Sequence, residues 1–235
     1  MNATTSEFTV VPANEASWED LRAIFGDRGY PAYCQCQKFK YRNWAEQRGT
    51  NVAQRMERLQ EQTHCGFPSA PATSGLVAYL DGEPVGWCAV EPRTAFARLR
   101  RTPVTWKGRD EDPADDGVWS VVCFATRVGY RRRGVTRALA RATVAFARDR
   151  GARAIEGYPM LTEPGHDVTC GVNDRKPSDW RICWATSTSS VLSPPGFGVS
   201  ETRMVSPIPS LSRIESPAVL ATIPFMPSPA SVRPR

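Results

Sequence analysis

The segment from Val118 to Tyr158 constrains the fold of this 235-residue chain more than any other part of the sequence. It opens with Val118–Phe124, the most hydrophobic β-prone run, which predicts a central strand buried on both faces. A helical pattern of apolar residues then ends at Gly151, a residue type favoured at helix C-termini. Because Arg153–Tyr158 again has the composition of a strand, the segment predicts a strand–turn–helix–strand unit of an α/β fold.

The turn inside this unit has the sequence Gly-Tyr-Arg-Arg-Arg-Gly-Val-Thr from Gly129 to Thr136. A glycine-bearing turn that leads into a helix exposes unpaired backbone N–H groups at the positive end of the helix dipole. Three consecutive arginines, Arg131 to Arg133, add positive charge beside them. The turn therefore predicts a site for a phosphate or pyrophosphate group, although it is neither a Walker A loop nor a dinucleotide-binding Gly-x-Gly-x-x-Gly turn.

The N-terminal half predicts a short strand over residues 7–11 and two helices. Ser17, followed three residues later by Asp20, resembles a capping box that opens a helix running to about Phe25. A second helix is predicted after Asn51, with Val52, Met56 and Leu59 on one face.

A β-hairpin is predicted between residues 76 and 90, because Asp81-Gly82 separates two β-prone runs. The polar stretch Arg93–Gly117 ends in a dense acidic patch, Asp110 to Asp116, and predicts a surface loop.

The composition changes near residue 186. Between Thr186 and Arg235, 20 of 50 residues are Ser or Pro, and repeated proline opposes both helix interiors and sheet ladders. We therefore expect one domain over residues 1–185 and a disordered Ser/Pro-rich tail over residues 186–235. A reading frame displaced after about Asp167 is an alternative origin of this tail.

Residues 131–136, Arg-Arg-Arg-Gly-Val-Thr, resemble the Gln/Arg-x-x-Gly-x-Gly/Ala motif of the GCN5-related N-acetyltransferases, the GNAT superfamily. The resemblance covers about residues 7–160 and includes the hairpin at Asp81-Gly82 and the unit from Val118 to Tyr158. Thr136 departs from the motif, which has Gly or Ala there. The fold expected from the resemblance is a twisted, mostly antiparallel mixed sheet flanked by helices.

The resemblance also implies acetyl-CoA as co-substrate. The backbone amides of Arg131, Arg132, Arg133, Gly134, Val135 and Thr136 are then expected to bind its pyrophosphate. Its pantothenate arm is expected to pair with the edge of the central strand near Cys123, Phe124 and Ala125. The implied reaction is direct attack by a primary amine of a small molecule or peptide on the acetyl group.

Glu156 and Glu91 are the candidate catalytic residues. Glu156 lies on the predicted strand near the expected acetyl position, where it can act through water as a general base. The alternatives are a structural carboxylate paired with Arg for Glu156 and a plain surface charge for Glu91. Many enzymes of this type use a later Tyr as general acid, but no Tyr follows Tyr158.

The cysteines give a weak metal signal. Cys34, Cys36, His64 and Cys65 can be assembled into a four-ligand set, yet no Cys-x-x-Cys pair is present and the halves lie far apart in sequence. We interpret them as free thiols and predict no metal.

The family resemblance and the net charge together leave three hypotheses of function. Lys and Arg outnumber Asp and Glu by 30 to 24, which favours an anionic partner. The leading hypothesis is an N-acetyltransferase; the rivals are a non-catalytic CoA-binding relative and, less favoured, a basic nucleic-acid-binding module. Without an apolar leader or span, we expect a cytoplasmic protein that does not bind membranes. The oligomeric state stays open, a homodimer included.

Overall fold

Six strands form one sheet whose order follows the sequence. The structure, a computed structural model, describes residues 7–106, 109–158 and 221–224. The strands are β1 (Phe8–Pro12), β2 (Leu76–Leu80), β3 (Glu83–Pro92), β4 (Val118–Thr126), β5 (Ala154–Gly157) and β6 (Ala221–Pro224). The helices are α1 (Trp18–Phe25), α2 (Gly29–Cys34), α3 (Trp44–Arg48), α4 (Val52–Thr63), α5 (Pro103–Trp106) and α6 (Val135–Arg148).

Every neighbouring pair of strands is antiparallel except β4 and β5, which are parallel and joined through α6. A parallel pair needs such a crossover, since a hairpin turn can join only antiparallel strands. The strand predicted at Val118 lies between β3 and β5, in the interior of the sheet. The predicted fold class, a mostly antiparallel mixed sheet with flanking helices, is confirmed.

Local sequence signals set the ends of several elements. Ser17 Oγ accepts a hydrogen bond from the Asp20 amide at 3.0 Å and the Asp20 carboxylate accepts one from the Ser17 amide at 3.3 Å, which confirms the capping box. Asn51 and Gln54 form a second capping box at the start of α4. The buried face of α4 carries Arg55, Leu59 and Thr63, whereas Val52 is 37% exposed.

The sheet is covered on both faces. One face packs against α6, with Val90, Val121 and Ile155 in the cluster beneath it. The other face packs against α1 and the segments near it, with Trp87 and Val122 in that cluster.

A glycine brings α6 close to the sheet. A Cβ atom on Gly86 of β3 would lie 2.3 Å from Val135 Cγ1 and 3.0 Å from Leu139 Cδ1. Because real side-chain carbons do not approach so closely, only glycine lets the first turn of α6 pack at this depth.

The prediction of a surface loop over Arg93–Gly117 is wrong for its first half. Two 3₁₀ turns and α5 occupy this part, and Arg93 and Arg98 are 0% and 2% exposed. Arg98 lies 4.1 Å from the ring centroid of Trp44, and Arg93 lies 5.2 Å from that of Trp106. Such planar cations can be buried when aromatic rings and carboxylates surround them.

The predicted domain boundary after residue 185 and the predicted disorder of residues 186–235 lie outside the described residues, apart from β6, which pairs with β5. Among the helices that the structure describes, none has the length and apolar character needed to cross a membrane.

Candidate functional site

The strand β4 changes its pairing at Val122. Ala89 of β3 pairs with Cys123, while the next residue, Val90, pairs with Val121, so Val122 is an extra residue in a β-bulge. As a result Val122 and Cys123 both pack on the α1 face of the sheet instead of alternating.

The bulge coincides with the point where β5 leaves β4. The parallel pairing ends at Val121 and Gly157. From Val122 to Thr126, no strand in the described part of the chain pairs with this edge of β4. An open strand edge offers N–H and C=O groups to another extended chain or to an amide-bearing ligand.

A cavity of about 330 Å³ follows this part of β4. We call it the β4 cavity; its walls include all residues from Val122 to Thr126, residues 28–31 at the start of α2, and Cys34, Cys36, Lys38 and Arg131. The predicted cofactor-binding residues Cys123, Phe124 and Ala125 thus line one cavity together with Arg131 of the predicted pyrophosphate turn. A larger cavity of about 620 Å³ lies among α1, α2 and α4 and touches neither β4 nor the turn.

The predicted pyrophosphate turn leads directly into α6. Gly129, Arg132 and Gly134 have φ angles of +90°, +62° and +88°. Gly134 is the N-cap of α6 and, because it has no side chain, makes no side-chain capping hydrogen bond. The left-handed conformation at this cap explains why glycine stands there.

The amides of this turn are available to a ligand. Within residues 109–158, the first backbone hydrogen bond of α6 runs from the Ala138 amide to the Gly134 carbonyl at 3.0 Å, and the amides of residues 131–137 donate to no described acceptor. The three arginines, Gly134 and Thr136 are exposed, whereas Val135 is buried beneath the turn. Uncommitted amides beside exposed arginines fit a bound phosphate or pyrophosphate.

The two predicted catalytic carboxylates share one row across the sheet. Glu91 of β3 pairs with Ser120 of β4, which in turn pairs with Glu156 of β5. Directly paired residues project to the same face, and all three lie on the α1 face, because Val121 and Ile155 belong to the α6 cluster. Neither carboxylate lines the β4 cavity.

Glu156 is enclosed by hydrogen-bond donors and is 1% exposed. Oε1 accepts hydrogen bonds from the Ser120 hydroxyl at 2.8 Å and from the Tyr158 hydroxyl. Oε2 accepts one from Arg109 at 2.8 Å and lies 3.7 Å from Arg93 Nη1. Burial raises the pKa of Tyr158, and the neighbouring Glu156 carboxylate raises it further.

Glu91 is less enclosed than Glu156. Its Oε1 accepts hydrogen bonds from Lys40 Nζ and the Ser74 hydroxyl. In the described part of the chain, Oε2 receives no hydrogen bond, and the side chain is 15% exposed.

Three cysteines meet in the β4 cavity. Trp87 Nε1 donates to Cys36 Sγ at 3.0 Å. A hydrogen bond from Cys36 and the nearby Lys38 charge lower the pKa of Cys123, against the effect of burial, whereas burial raises the pKa of Cys36 and Cys34. Cys123, which lies at the bulge, is therefore the most acidic of the three thiols.

The other residues of the weak metal signal, His64 and Cys65, directly follow α4. His64 is exposed, and Cys65 is buried and donates to Thr63 Oγ1 at 3.3 Å. In residues 7–106 and 109–158, no three metal-ligating side chains converge.

Sequence reasoning missed Lys38 and Tyr30 in the cavity and Arg93 and Arg109 around Glu156. Lys38 lies between two short helices without a helical or strand pattern, so no periodicity marks it. The two arginines lie in a stretch that polarity alone assigns to the surface.

Comparison with known proteins places these features in a family. Structures with a similar fold include Ard1 from Thermoplasma volcanium, with 16% identity over 67% of this chain and 75% of that chain and a TM-score of 0.35. A GCN5-related N-acetyltransferase from Kribbella flavida has 21% identity over 63% and 70% and a TM-score of 0.34. YncA from Salmonella typhimurium, solved with its cofactor acetyl-CoA, has 12% identity over 96% of both chains and a TM-score of 0.41.

No curated protein sequence matches the chain at a significant level. The model of the acetyltransferase (GNAT) family, however, matches residues 15–158. This range is more than half of the chain, and it runs from the residues just before α1 through the β4 bulge, the arginine turn and β5. The chain therefore belongs to the GNAT family of acetyltransferases.

Proposed function

We propose that this protein transfers the acetyl group of acetyl-CoA to a primary amine of a small molecule or peptide. Acetyl-CoA is the co-substrate that family membership implies. The observation that carries the proposal is the run of uncommitted amides from Arg131 to Arg137 at the start of α6, beside the open edge of β4.

The proposed binding mode follows from these two features. The amides of residues 131–136 bind the pyrophosphate, and Arg131, Arg132 and Arg133 supply positive charge. The hydroxyl of Thr136 is exposed and can donate a further hydrogen bond. The amide groups of the pantothenate arm pair with β4 beyond Val122, where the protein offers an unpaired edge.

Transfer then requires a neutral amine near the thioester. The amine nitrogen forms a bond to the acetyl carbon, the carbon–sulfur bond breaks, and CoA leaves as its thiolate. The main-chain N–H groups that β4 directs toward its open edge are the donors available to the developing oxyanion. A thiolate is a tolerable leaving group near neutral pH, so the step does not require the Tyr that the sequence lacks.

The contacts of the two carboxylates favour different roles. Both oxygens of Glu156 are occupied, and two arginines lie beside them, which supports the interpretation of a structural ion pair. Glu91 keeps one oxygen without a described donor and is partly exposed. We therefore propose Glu91 as the base that accepts the proton of the amine through water, and Glu156 as the residue that holds Arg93 and Arg109.

Two matched valine variants test the assignment of the turn. Gly134 and Gly151 flank α6 with similar φ angles of +88° and +81°, and a Cβ has space at both. Valine at either position costs about 1–2 kcal/mol of stability through backbone strain, but only Gly134→Val distorts the amides at the N-terminus. We expect at least about a tenfold loss of acetyl-CoA affinity for Gly134→Val, since each hydrogen bond to a charged group contributes about 1.5–3 kcal/mol.

The affinity is measured by calorimetry and turnover by release of free CoA thiol with a panel of amines. Equal acetyl-CoA affinity in both variants would show that the pyrophosphate binds elsewhere. Tight binding in the unchanged protein without turnover of any amine would favour the non-catalytic alternative. In an active enzyme, Glu91→Gln should lower kcat and leave the affinity for acetyl-CoA unchanged.

A further inference from the structure

Three thiols line the β4 cavity together. Cys34 and Cys36 belong to the wall formed by α2 and the residues after it, and Cys123 comes from the bulge of β4. All three are free thiols in the structure. Cys34 and Cys36 are buried, whereas Cys123 is partly exposed, so Cys123 is the most accessible thiol to a small molecule that enters the cavity.

The hydrogen bonds of the three thiols single out one pair. The Cys36 thiol donates to Cys123 Sγ, and Trp87 Nε1 donates to Cys36 Sγ at 3.0 Å. Cys34 is hydrogen-bonded instead to the Tyr30 hydroxyl. Cys36 is therefore the thiol that contacts Cys123, although Cys34 lies in the same wall.

The backbone that carries Cys36 has an unusual conformation. Gln35 and Cys36 both have a φ of +50°, a left-handed conformation that residues other than glycine keep only where their surroundings impose it. Side-chain amides hold this turn. Gln35 Nε2 donates to the Ala32 carbonyl at 2.8 Å, and the buried Gln37 donates to Gln62 Oε1 at 2.9 Å. The turn thereby fixes Cys36 in the cavity wall.

The surroundings of the pair favour the thiolate at Cys123. The hydrogen bond from Cys36 and the charge of Lys38 lower the pKa of Cys123, against the effect of burial, whereas burial raises the pKa of Cys36. Lys38 is itself balanced by the thiols, because burial lowers its pKa while Cys34 and Cys123 raise it. An accessible thiol of low pKa beside a second thiol is typical of cysteines that respond to oxidants.

We propose that Cys123 is a site of oxidation by peroxides and that Cys36 converts the oxidised Cys123 into a disulfide across the β4 cavity. The reaction takes place in two steps, both at sulfur, and the oxidant is a peroxide such as hydrogen peroxide.

In the first step the Cys123 thiolate attacks one oxygen of hydrogen peroxide. The sulfur–oxygen bond forms, the oxygen–oxygen bond breaks, and the departing hydroxide takes up the proton that Cys123 has released, giving water and a sulfenic acid. In the second step the Cys36 sulfur attacks the Cys123 sulfur. The sulfur–sulfur bond forms, the sulfur–oxygen bond breaks, and the oxygen leaves with the Cys36 proton as a second water. The two thiols lose two electrons and two protons, which the peroxide accepts.

A disulfide between Cys36 and Cys123 would obstruct the path proposed for the pantothenate arm. It would tie the segment after α2 to β4 just beyond Val121, where the pairing with β5 ends. Oxidation should therefore weaken acetyl-CoA binding, and bound acetyl-CoA should shield Cys123 from the peroxide. This effect on the cofactor rests on the proposed function, whereas formation of the disulfide does not.

The test compares the unchanged full-length protein with two serine variants. Each protein is reduced, freed of reductant, treated with a small excess of hydrogen peroxide and digested under non-reducing conditions for peptide mass mapping. Cys36→Ser removes the thiol that would complete the disulfide. Cys34→Ser is the matched control, because it removes a buried thiol from the same wall. A parallel set of samples contains dimedone, which traps sulfenic acids.

We expect a peptide pair linked through Cys36 and Cys123 in the unchanged protein and in Cys34→Ser. In Cys36→Ser this link is absent, and dimedone labels Cys123. Where the disulfide forms, calorimetry should show acetyl-CoA affinity at least about tenfold lower, the factor expected when the pantothenate arm loses about two hydrogen bonds. Reductant should restore the affinity. Thermal unfolding of the reduced variants checks that each is folded.

The outcomes separate the two proposals. The oxidation site is refuted if Cys123 becomes linked to a cysteine other than Cys36, if it forms no link, or if Cys34→Ser prevents the link. A disulfide between Cys36 and Cys123 that leaves acetyl-CoA affinity unchanged refutes its effect on the cavity. If the reduced protein does not bind acetyl-CoA, the proposed function fails, and the mapped disulfide still decides the assignment of the thiols.

Discussion

Replacing Gly86 with Ala is expected to disturb the pyrophosphate turn from the opposite side of α6. The added methyl carbon would lie 2.3 Å from Val135 Cγ1, whereas carbon atoms in contact are about 3.5–4.0 Å apart. The first turn of α6 must therefore move away from β3 by about 1 Å or more. Such overpacking costs about 1–3 kcal/mol, and in a chain of this size each kcal/mol lowers Tm by about 2–4 °C.

The movement should also weaken ligand binding, because Val135 directly follows Gly134 in the turn. Thermal unfolding with and without acetyl-CoA measures both effects. Gly49→Ala is the control, since Gly49 has a φ of −70° and its Cβ would meet only the carbonyl oxygens of Glu46 and Ala45, at 3.4 and 3.5 Å. We expect Gly86→Ala to lose most of the Tm increase that acetyl-CoA gives, and Gly49→Ala to keep it. The reasoning is refuted if Gly86→Ala unfolds at the original temperature and binds acetyl-CoA with unchanged Kd.

Three further predictions follow from other contacts. Glu156→Gln removes the buried carboxylate beside Arg93 and Arg109, which keep only the more exposed Glu111 and Asp115 as acidic partners. The free energy of unfolding in urea should therefore fall by about 1–3 kcal/mol, the cost of an unsatisfied buried group; a change below 1 kcal/mol would contradict the ion-pair role. Iodoacetamide should modify Cys123 before Cys36, because the thiolate is the reactive form and the pKa of Cys123 is lowered while that of Cys36 is raised. The rate at Cys123 should therefore increase with pH in a range below the ordinary thiol pKa. Peptide mass mapping identifies the first site, and acetyl-CoA should slow the reaction there. Asn51→Ala should cost about 1 kcal/mol through loss of the α4 cap, measured by thermal unfolding, and should leave acetyl-CoA affinity unchanged.

Features that depend on a few adjacent residues could be predicted from the sequence. Asp81 and Gly82 both have positive φ, +52° and +83°, as the predicted tight hairpin turn requires. The cap at Ser17 and the glycine at the entrance of α6 are local in the same sense. The conformation of the arginine turn is local in the same way, because its glycines set the backbone without distant partners; that the turn binds a pyrophosphate stays a prediction.

Features that depend on distant partners could not be predicted. Lys40 and Glu91 are far apart in sequence, yet they form an ion pair between a loop and β3. Arg93 reads as a surface residue until Glu156 and Trp106 are placed beside it. The helix α2 contains Gly and Pro and is only six residues long, so it has no periodic signal, although it forms a wall of the β4 cavity.

The bulge at Val122 makes the length of β4 as important as its composition. Deleting Val122 would restore strict alternation without turning any later side chain, because Val121 and Cys123 already face opposite layers beside Val90 and Ala89. The deletion would instead remove the bulge and its local bend at the point where β4 and β5 separate. We therefore expect this short stretch to tolerate exchange of one apolar residue for another much better than the loss or gain of a single position.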